Sequence, residues 1–330
     1  MTIAINARAA QRDEIGGVER YAREMAARLP PLTPGRYRVI RPPARFAHRA
    51  GHAWEQAWLP AAARGAELLY SPANLAPLAG RRNAVVIHDV APIRNPDWYG
   101  RAYGTWQRAL LPRLARRARL VLTVSEFSKG EIADVLGVAP DRIAVAPGGV
   151  DDRFAPSAAG PAPERPYVLT VATRIARKNL AALGRTRAAL AERGIDLVAA
   201  GSGRAYMRAE DGGPRPLGYV PEADLPALYA GASAFVLPSL YEGFGLTCLE
   251  AMASGTPVVA ADRGALPETC GGAALLVDPR DEDAIAEAVL AAIGDQRLIR
   301  AGRERAAGFT WERTARATDD ALSDTLRASS

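Results

Sequence analysis

Two glutamates eight positions apart, Glu242 and Glu250, stand on either side of the glycine-rich turn Gly243-Phe244-Gly245-Leu246-Thr247. The stretch from Ser239 to Val259 reads as a strand end, a loop, a helix and a new strand. A helix start offers free amides and the positive end of the helix dipole, so it favours an anion such as a diphosphate. Side chains on a helix lean toward its N-terminus, which aims Glu250 back at the same place. A carboxylate beside a diphosphate would repel it. Glu250 therefore suits a neutral group that donates hydrogen bonds, such as ribose hydroxyls, and Glu242 suits sugar hydroxyls on the other side of the diphosphate. Either glutamate alone is better read as a dipole partner or a turn cap. The pair, with Gly243, Gly245 and the small-residue helix end Ser254-Gly255-Thr256-Pro257, outweighs that reading.

Two further places invite attention. Gly16-Gly17 lies between a first strand and a helix, where glycine permits close backbone approach to a phosphate or an acceptor. His88-Asp89 ends the apolar strand Ala84-Val85-Val86-Ile87, and His88 is one of three histidines in the chain. The plain alternatives are an ordinary turn for the glycines, and for His88 a side chain that satisfies loop amides.

The elements that must hold these residues alternate regularly. Strand-length apolar runs occupy residues 2–7, 37–41, 68–71, 83–88, 120–125 and 143–146, then 167–172, 196–200, 234–238, 257–260 and 274–277. Alanine-rich amphipathic helices are expected at 18–29, 128–136, 180–193 and 281–293. Such alternation implies an α/β fold with parallel sheets covered by helices on both faces. The 330 residues are too many for one typical core. Residues 147–166 carry five prolines and three glycines without helical period, which is linker composition. The expected division is a domain over 1–150 and a second over 151–310, with 311–330 returning to the first. Ligands of open parallel sheets bind beyond the carboxyl ends of the strands, which here would be a cleft between domains.

Composition narrows the setting. No apolar run approaches the ~18 residues of a membrane span, and the N-terminus lacks the layout of a signal peptide. Cys248 and Cys270 are too few for a disulfide framework or a metal site, so a reduced, cytoplasmic location is expected. Much of the net charge of +6 is arginine spread along helices, with the densest cluster at Arg113, Arg116, Arg117 and Arg119. This cluster reads first as a solvated helix face and second as a patch for a membrane surface or an anionic acceptor. Nucleic acid is not expected as a partner, since no aromatic–basic interleaving accompanies the charge.

The segment from Ser239 to Pro257 resembles the signature of glycosyltransferase family 4, retaining enzymes of the GT-B fold in which the two-glutamate spacing recurs. Val171-Ala172-Thr173-Arg174-Ile175-Ala176-Arg177-Lys178-Asn179-Leu180 is similar to the family's donor-phosphate segment, and Gly16-Gly17-Val18-Glu19-Arg20-Tyr21 to its first glycine loop. Thr123 to Lys129, Pro147 to Asp151 and Gly218-Tyr219-Val220-Pro221 also match. The resemblance extends over nearly the whole chain and is more specific in its C-terminal half. It implies two Rossmann-like domains facing each other across a cleft, the first on the acceptor side and the second binding the donor.

The resemblance also implies roles. Lys178 becomes the phosphate clamp, placing fixed positive charge where the departing diphosphate gains negative charge. The family's arginine falls on Thr173 when Lys178-Asn179 is aligned, so Arg174 and Arg177 are the two candidates for a second cation. His88 is expected to contact the donor sugar and orient attack, with Asp89 either a base or a turn cap. Tyr219 and Val220 mark the neighbourhood that reads the base. No metal or other cofactor is implied. Transfer would proceed with retention, by front-face attack assisted by the leaving phosphate, because no additional carboxylate nucleophile is evident. The first half also holds Trp54, Trp58, Trp98, Trp106, Tyr99 and Tyr103, suited to stacking on sugars or to packing.

The expected activity is hexose transfer from a nucleotide-diphosphate sugar, GDP-mannose favoured, to a glycan or lipid-linked acceptor in cell-envelope polysaccharide synthesis. Attachment to the inner face of the cell membrane would follow from the arginine cluster. Transfer to a soluble small molecule, sugar-nucleotide epimerisation and a non-catalytic nucleotide-sugar-binding module are the alternatives.

Overall fold

A computed structural model describes residues 2–12, 16–43, 46, 51–80, 82–173, 175–201 and 213–328. The chain forms two compact units: Met1–Arg94, Gly104–Gly149 and Trp311–Ser330 make the first, and Asn95–Tyr103 with Val150–Thr310 the second.

The first unit holds a parallel sheet of β1 (Ile3–Asn6), β2 (Tyr37–Ile40), β3 (Leu68–Ser71), β4 (Asn83–Val86), β5 (Leu120–Thr123) and β6 (Ile143–Val145), in the order β2-β1-β3-β4-β5-β6. Its main helices are α1 (Gly17–Leu32), α2 (Gly51–Ala57), α3 (Arg101–Arg117) and α4 (Glu126–Leu136). Strands β1, β3, β4 and β5 are buried at every residue. Burial on both faces is why these strands read as unbroken apolar runs without alternation.

The second unit repeats the plan with β7 (Tyr167–Val171), β8 (Asp196–Ala200), β9 (Arg215–Gly218), β10 (Ala234–Leu237), β11 (Val258–Ala261) and β12 (Leu275–Val277), ordered β12-β11-β10-β7-β8-β9 and again parallel. Its helices are α5 (Gly184–Ala191), α6 (Leu225–Ala230), α7 (Leu246–Ala253), α8 (Leu266–Cys270), α9 (Glu282–Ala292) and α10 (Gln296–Ala307). The two-residue period of a strand divides the core. Tyr167, Leu169, Phe235 and Leu237 pack on one face with Met252 of α7, while Val168, Ala234 and Val236 pack on the other with Ile285 and Val289 of α9. The last helix, α11 (Trp311–Arg327), belongs to the first unit, where Asp319 pairs with Tyr37 and with Arg36 at 3.4 Å.

This is the α/β class expected from the sequence, and each unit is a doubly wound, Rossmann-like sheet. The differences are local. Helix α1 runs through Pro30 and Pro31, past the expected end at residue 29. The expected helix at 180–193 is a 3-10 turn, Leu180–Leu183, followed by α5 beginning at Gly184. Strand β9 was not expected: Pro216 sits in it, as an edge strand allows, and it pairs with β8 through a register shift.

Each sheet reverses direction once. The strand order places the switch between β1 and β3 in the first unit, and between β7 and β10 in the second. A crevice opens at such points beyond the carboxyl ends of the strands.

Candidate functional site

In the second unit, the segments that follow β7 and β10 meet at this switch. After β7 the chain makes a 3-10 turn, Ala176–Lys178, and then adopts a left-handed conformation at Asn179 (φ 55°). Asparagine tolerates that geometry. The Asn179 carboxamide also donates to the carbonyls of Pro238 (3.2 Å) and Pro279 (2.7 Å), tying this turn to the ends of β10 and β12. The turn thereby delivers Lys178 to Glu242, which accepts a hydrogen bond from its ammonium. Arg177 stands 3.5 Å from the other carboxylate oxygen and donates to the Tyr241 carbonyl at 3.1 Å.

Lys178 and Glu242 are both buried. Burial alone would raise the Glu242 pKa, but the charges of Lys178 and Arg177 outweigh it and hold the carboxyl below its ordinary range. Burial pulls the Lys178 pKa down, opposed by Glu242. The cluster is thus two cations gathered on one carboxylate, with net positive charge at the switch point.

Glu242 is seated by backbone. Gly264, at φ +62°, leaves no room for a side chain, since a Cβ there would come within 2.7 Å of the Glu242 carbonyl oxygen and 2.8 Å of its nitrogen. The amide of Ala265 donates to that carbonyl at 3.0 Å. Helix α7 then opens from Gly245, whose φ of +104° and contact with Leu266 both require glycine. Among the described residues no side chain caps this helix, so the amides at Leu246 and Thr247 have the unsatisfied character of a helix start. Cys248, in the first turn of α7, lies within electrostatic reach of Lys178 and Glu242. Gly243 is buried, and Phe244 packs edge-on against Phe309.

Glu250 is not part of that ion cluster. It is 2% exposed and accepts a hydrogen bond from the Tyr229 hydroxyl of α6 at 2.9 Å. Tyr219 is 47% exposed and follows β9, two strands from the switch, with Val220 packed on the core below it. Arg174 lies outside the described residues. An Asp-X-Asp triplet, Asp281-Glu282-Asp283, opens α9, where Asp281 caps the helix by accepting from the Ala284 amide at 2.9 Å.

In the first unit, His88 follows β4 and is held on every side. Its amide donates to the Asn74 side chain (2.8 Å), and its carbonyl accepts from the Ser128 hydroxyl (3.1 Å). Its Nε2 lies 3.0 Å from the Pro72 carbonyl. A carbonyl only accepts, so Nε2 carries the proton and Nδ1 keeps a lone pair. Burial lowers the His88 pKa, which keeps the ring neutral. Asp89 accepts from the Ala91 amide at 3.1 Å, the contact of a turn cap. Gly16 donates its amide to Glu19 in a capping box at the start of α1, and a Cβ on Gly17 would meet no described atom within 4 Å.

At the β1/β3 switch a second buried polar group gathers. Glu55 of α2 accepts from Asn6 at 2.8 Å and pairs with Arg8 at 3.0 Å. The sequence expectations do not include this group, nor Tyr229 or Gly264, and Asn179 enters them only as a member of the donor-phosphate segment. Only Gly264 and Asn179 left a signal, a glycine and an asparagine next to apolar strand ends. The exposed arginines of α3 bond mostly to backbone: Arg113 to the Ala109 carbonyl, Arg116 to Leu136 and Arg117 to Leu78. Among the described residues, no helix is long and apolar enough to cross a membrane.

A model described as Glycosyltransferase Family 4 matches residues 30–154, and one described as Glycosyl transferases group 1 matches residues 165–295. The chain is 33% identical over 299 residues to O-antigen chain mannosyltransferase B of Escherichia coli, covering 81% of this chain and 76% of that protein. It is 34% identical over 245 residues to an MMP alpha-(1->4)-mannosyltransferase of Mycolicibacterium hassiacum, covering 67% of this chain and 56% of that one. Among solved structures, sucrose-phosphate synthase of Thermosynechococcus elongatus superposes over 100% of both chains with a TM-score of 0.75 at 22% identity, a likeness of fold. Both halves of the chain match the family's models, and a relative at one-third identity matches over most of its length: the chain belongs to glycosyltransferase family 4.

Proposed function

We propose that this glycosyltransferase is a retaining hexosyltransferase that moves mannose from GDP-mannose to a glycan or lipid-linked acceptor in cell-envelope polysaccharide synthesis. The observation that carries the reading is the buried Lys178–Glu242–Arg177 cluster at the β7/β10 switch, beside an uncapped helix start. Net positive charge and free amides together suit a diphosphate. Mannose as the sugar is supported by the two mannosyltransferases among the relatives.

In this reading the donor diphosphate takes over Lys178 and lies against the amides of Leu246 and Thr247, within Gly243-Phe244-Gly245. Glu242, released from Lys178, turns to hydroxyls of the sugar, while Arg177 stays as the second cation. Glu250, with Tyr229, takes the ribose, and Tyr219 and Val220 border the base. The first unit supplies the acceptor side, with Gly17 open to close approach and the lone pair of His88 Nδ1 accepting from a sugar hydroxyl.

The acceptor oxygen forms a bond to the anomeric carbon on the face the diphosphate leaves. The bond from that carbon to the phosphate oxygen breaks, and its electron pair stays on the phosphate. The acceptor's proton passes to that oxygen, which Lys178 and the helix start stabilise. No protein carboxylate is bonded to the sugar in this scheme, and no metal is required. The enzyme works in the cytoplasm and reaches the membrane through the exposed arginines of α3.

The test is a turnover screen with GDP-, UDP-, ADP- and dTDP-sugars, with lipid extracts, glycans or small sugars as acceptors, in EDTA. GDP-mannose should give an α-linked product on the lipid or glycan fraction. Turnover only with small sugars moves the assignment to a soluble acceptor. Donor binding without product from any acceptor supports a binding module. A mannosylated Asp or Glu in the mass spectrum contradicts front-face attack.

A further inference from the structure

We propose that Tyr21 and Trp311 are positioning residues that fix the orientation of the His88 ring. The inference rests on the role given to His88 above, but its geometry stands apart from that role. The Tyr21 ring meets the imidazole edge-on, with centroids 5.0 Å apart and planes at 88°. Trp311 meets Tyr21 on a further side, at 5.9 Å and 77°. Both are core residues, 2% and 1% exposed.

The Pro72 carbonyl fixes which nitrogen of His88 carries the proton, yet one hydrogen bond leaves the ring free to swing about it. The Tyr21 edge closes that freedom. Tyr21 is itself pinned: its hydroxyl donates to the Ala146 carbonyl at 3.3 Å, and burial pushes its pKa up to about 12, so it remains a neutral donor. Trp311 is pinned to the next residue of the same segment, because Thr314, one turn along α11, donates to the Pro147 carbonyl at 2.6 Å. Thr318 continues the seam with a contact to Met25 sulfur at 3.7 Å.

Trp311 also stands where the chain re-enters the first unit. The chain leaves that unit after Gly149 and returns at Trp311. The residues just outside, Val150 and Thr310, form a parallel β-bridge, and the Val150 amide donates to the Phe309 carbonyl at 2.9 Å. The file Trp311–Tyr21–His88 therefore begins where the chain re-enters the first unit and ends at the imidazole. A misplacement of about 1 Å in a group that orients a substrate can cost about 100-fold in rate, which is the scale available to such a device.

The experiment uses 15N-histidine labelling of the whole chain. There are three histidines, His48, His52 and His88, and His88→Gln assigns the third. The wild-type protein should show His88 as a single neutral form protonated at Nε2. Tyr21→Leu should shift or average the His88 nitrogen signals and lower kcat about 10- to 100-fold, with donor KM within about 2-fold. Tyr21→Phe, which keeps the ring, should restore the signals and most of kcat. Trp311→Phe, a smaller change, should move the signals in the same direction and cost about 3- to 10-fold in kcat. Wild-type His88 signals in folded Tyr21→Leu or Trp311→Phe overturn the proposal, whatever happens to turnover. Signals that move while turnover stays at the wild-type level uphold the positioning and overturn the role of His88 as an acceptor for a sugar hydroxyl.

Discussion

The two strand-end clusters solve different electrostatic problems. In the second unit, Lys178 and Arg177 converge on Glu242, so charge is compensated by charge inside a buried site. In the first unit, His88 is neutral and is held by a carbonyl, an amide side chain, a hydroxyl and a ring edge. The contrast matches the division of labour proposed. A leaving diphosphate needs cations that its arrival frees from a placeholder, whereas sugar hydroxyls need only a directed lone pair. In the proposed reading Glu242 is that placeholder: it pairs with Lys178 and turns to the sugar hydroxyls once the diphosphate takes Lys178 over.

The largest effects should come from breaking the charged cluster. Lys178→Met leaves Glu242 buried with Arg177 still 3.5 Å away but without its closest cation, and stability should fall by about 3 kcal/mol in chemical denaturation. Adding Glu242→Leu removes the stranded charge and should restore most of that stability. Both variants should lose about 1,000-fold in kcat/KM, the scale for deleting a group that stabilises developing charge. Activity and stability then separate, which a purely structural ion pair would not allow.

Next come two glycines that contrast the units. Gly264→Ala presses a methyl group against the Glu242 backbone and should cost about 2 kcal/mol with a drop of 10-fold or more in turnover. Gly17→Ala meets nothing described, so its melting temperature should stay near wild type while turnover falls about 10-fold if a ligand approaches there. A thermal melt beside an initial-rate assay reads both.

The pH dependence of stability should also divide by unit. The His88 pKa is lowered in the folded protein, so protons bind the unfolded chain more readily, and stability falls as pH drops below about 6.5 toward the folded value. His88→Gln should flatten that slope. The folded pKa of Glu242 is lowered too, but here it is the charged form that is favoured. Its contribution is present above its ordinary 4.5 and is lost only as pH falls through the lower folded value. Denaturation midpoints measured from pH 7 to 3 separate the two. The smallest effect is expected from Tyr229→Phe, which removes one hydrogen bond to Glu250: about 1–2 kcal/mol of stability and a few-fold rise in donor KM.

The fold was legible because the buried strands are mostly apolar, and the loop before α7 was marked by Gly245, whose φ of +104° favours glycine. β9 was not, since an exposed edge strand containing Pro216 has neither alternation nor an apolar run. Glu242 and Lys178 were each visible in the sequence. Their pairing was not, because it depends on strand order bringing the ends of β7 and β10 together across 64 residues. The contact between Tyr21 and Trp311 is not legible for the same reason: nothing local marks residues 290 positions apart as neighbours. Glu250 was read as a ligand group, and its bond to Tyr229 adds a protein partner that no spacing rule provides.

The most direct test of the charged site is calorimetric titration of GDP, UDP and ADP into the wild-type protein, Lys178→Met and His88→Gln. One of these nucleotides should bind the wild type, Lys178→Met should bind it at least 100-fold more weakly, and His88→Gln should bind it within about 3-fold of wild type. Equal binding by Lys178→Met and the wild type would contradict the proposed site, because the diphosphate would then lie elsewhere than at the β7/β10 switch.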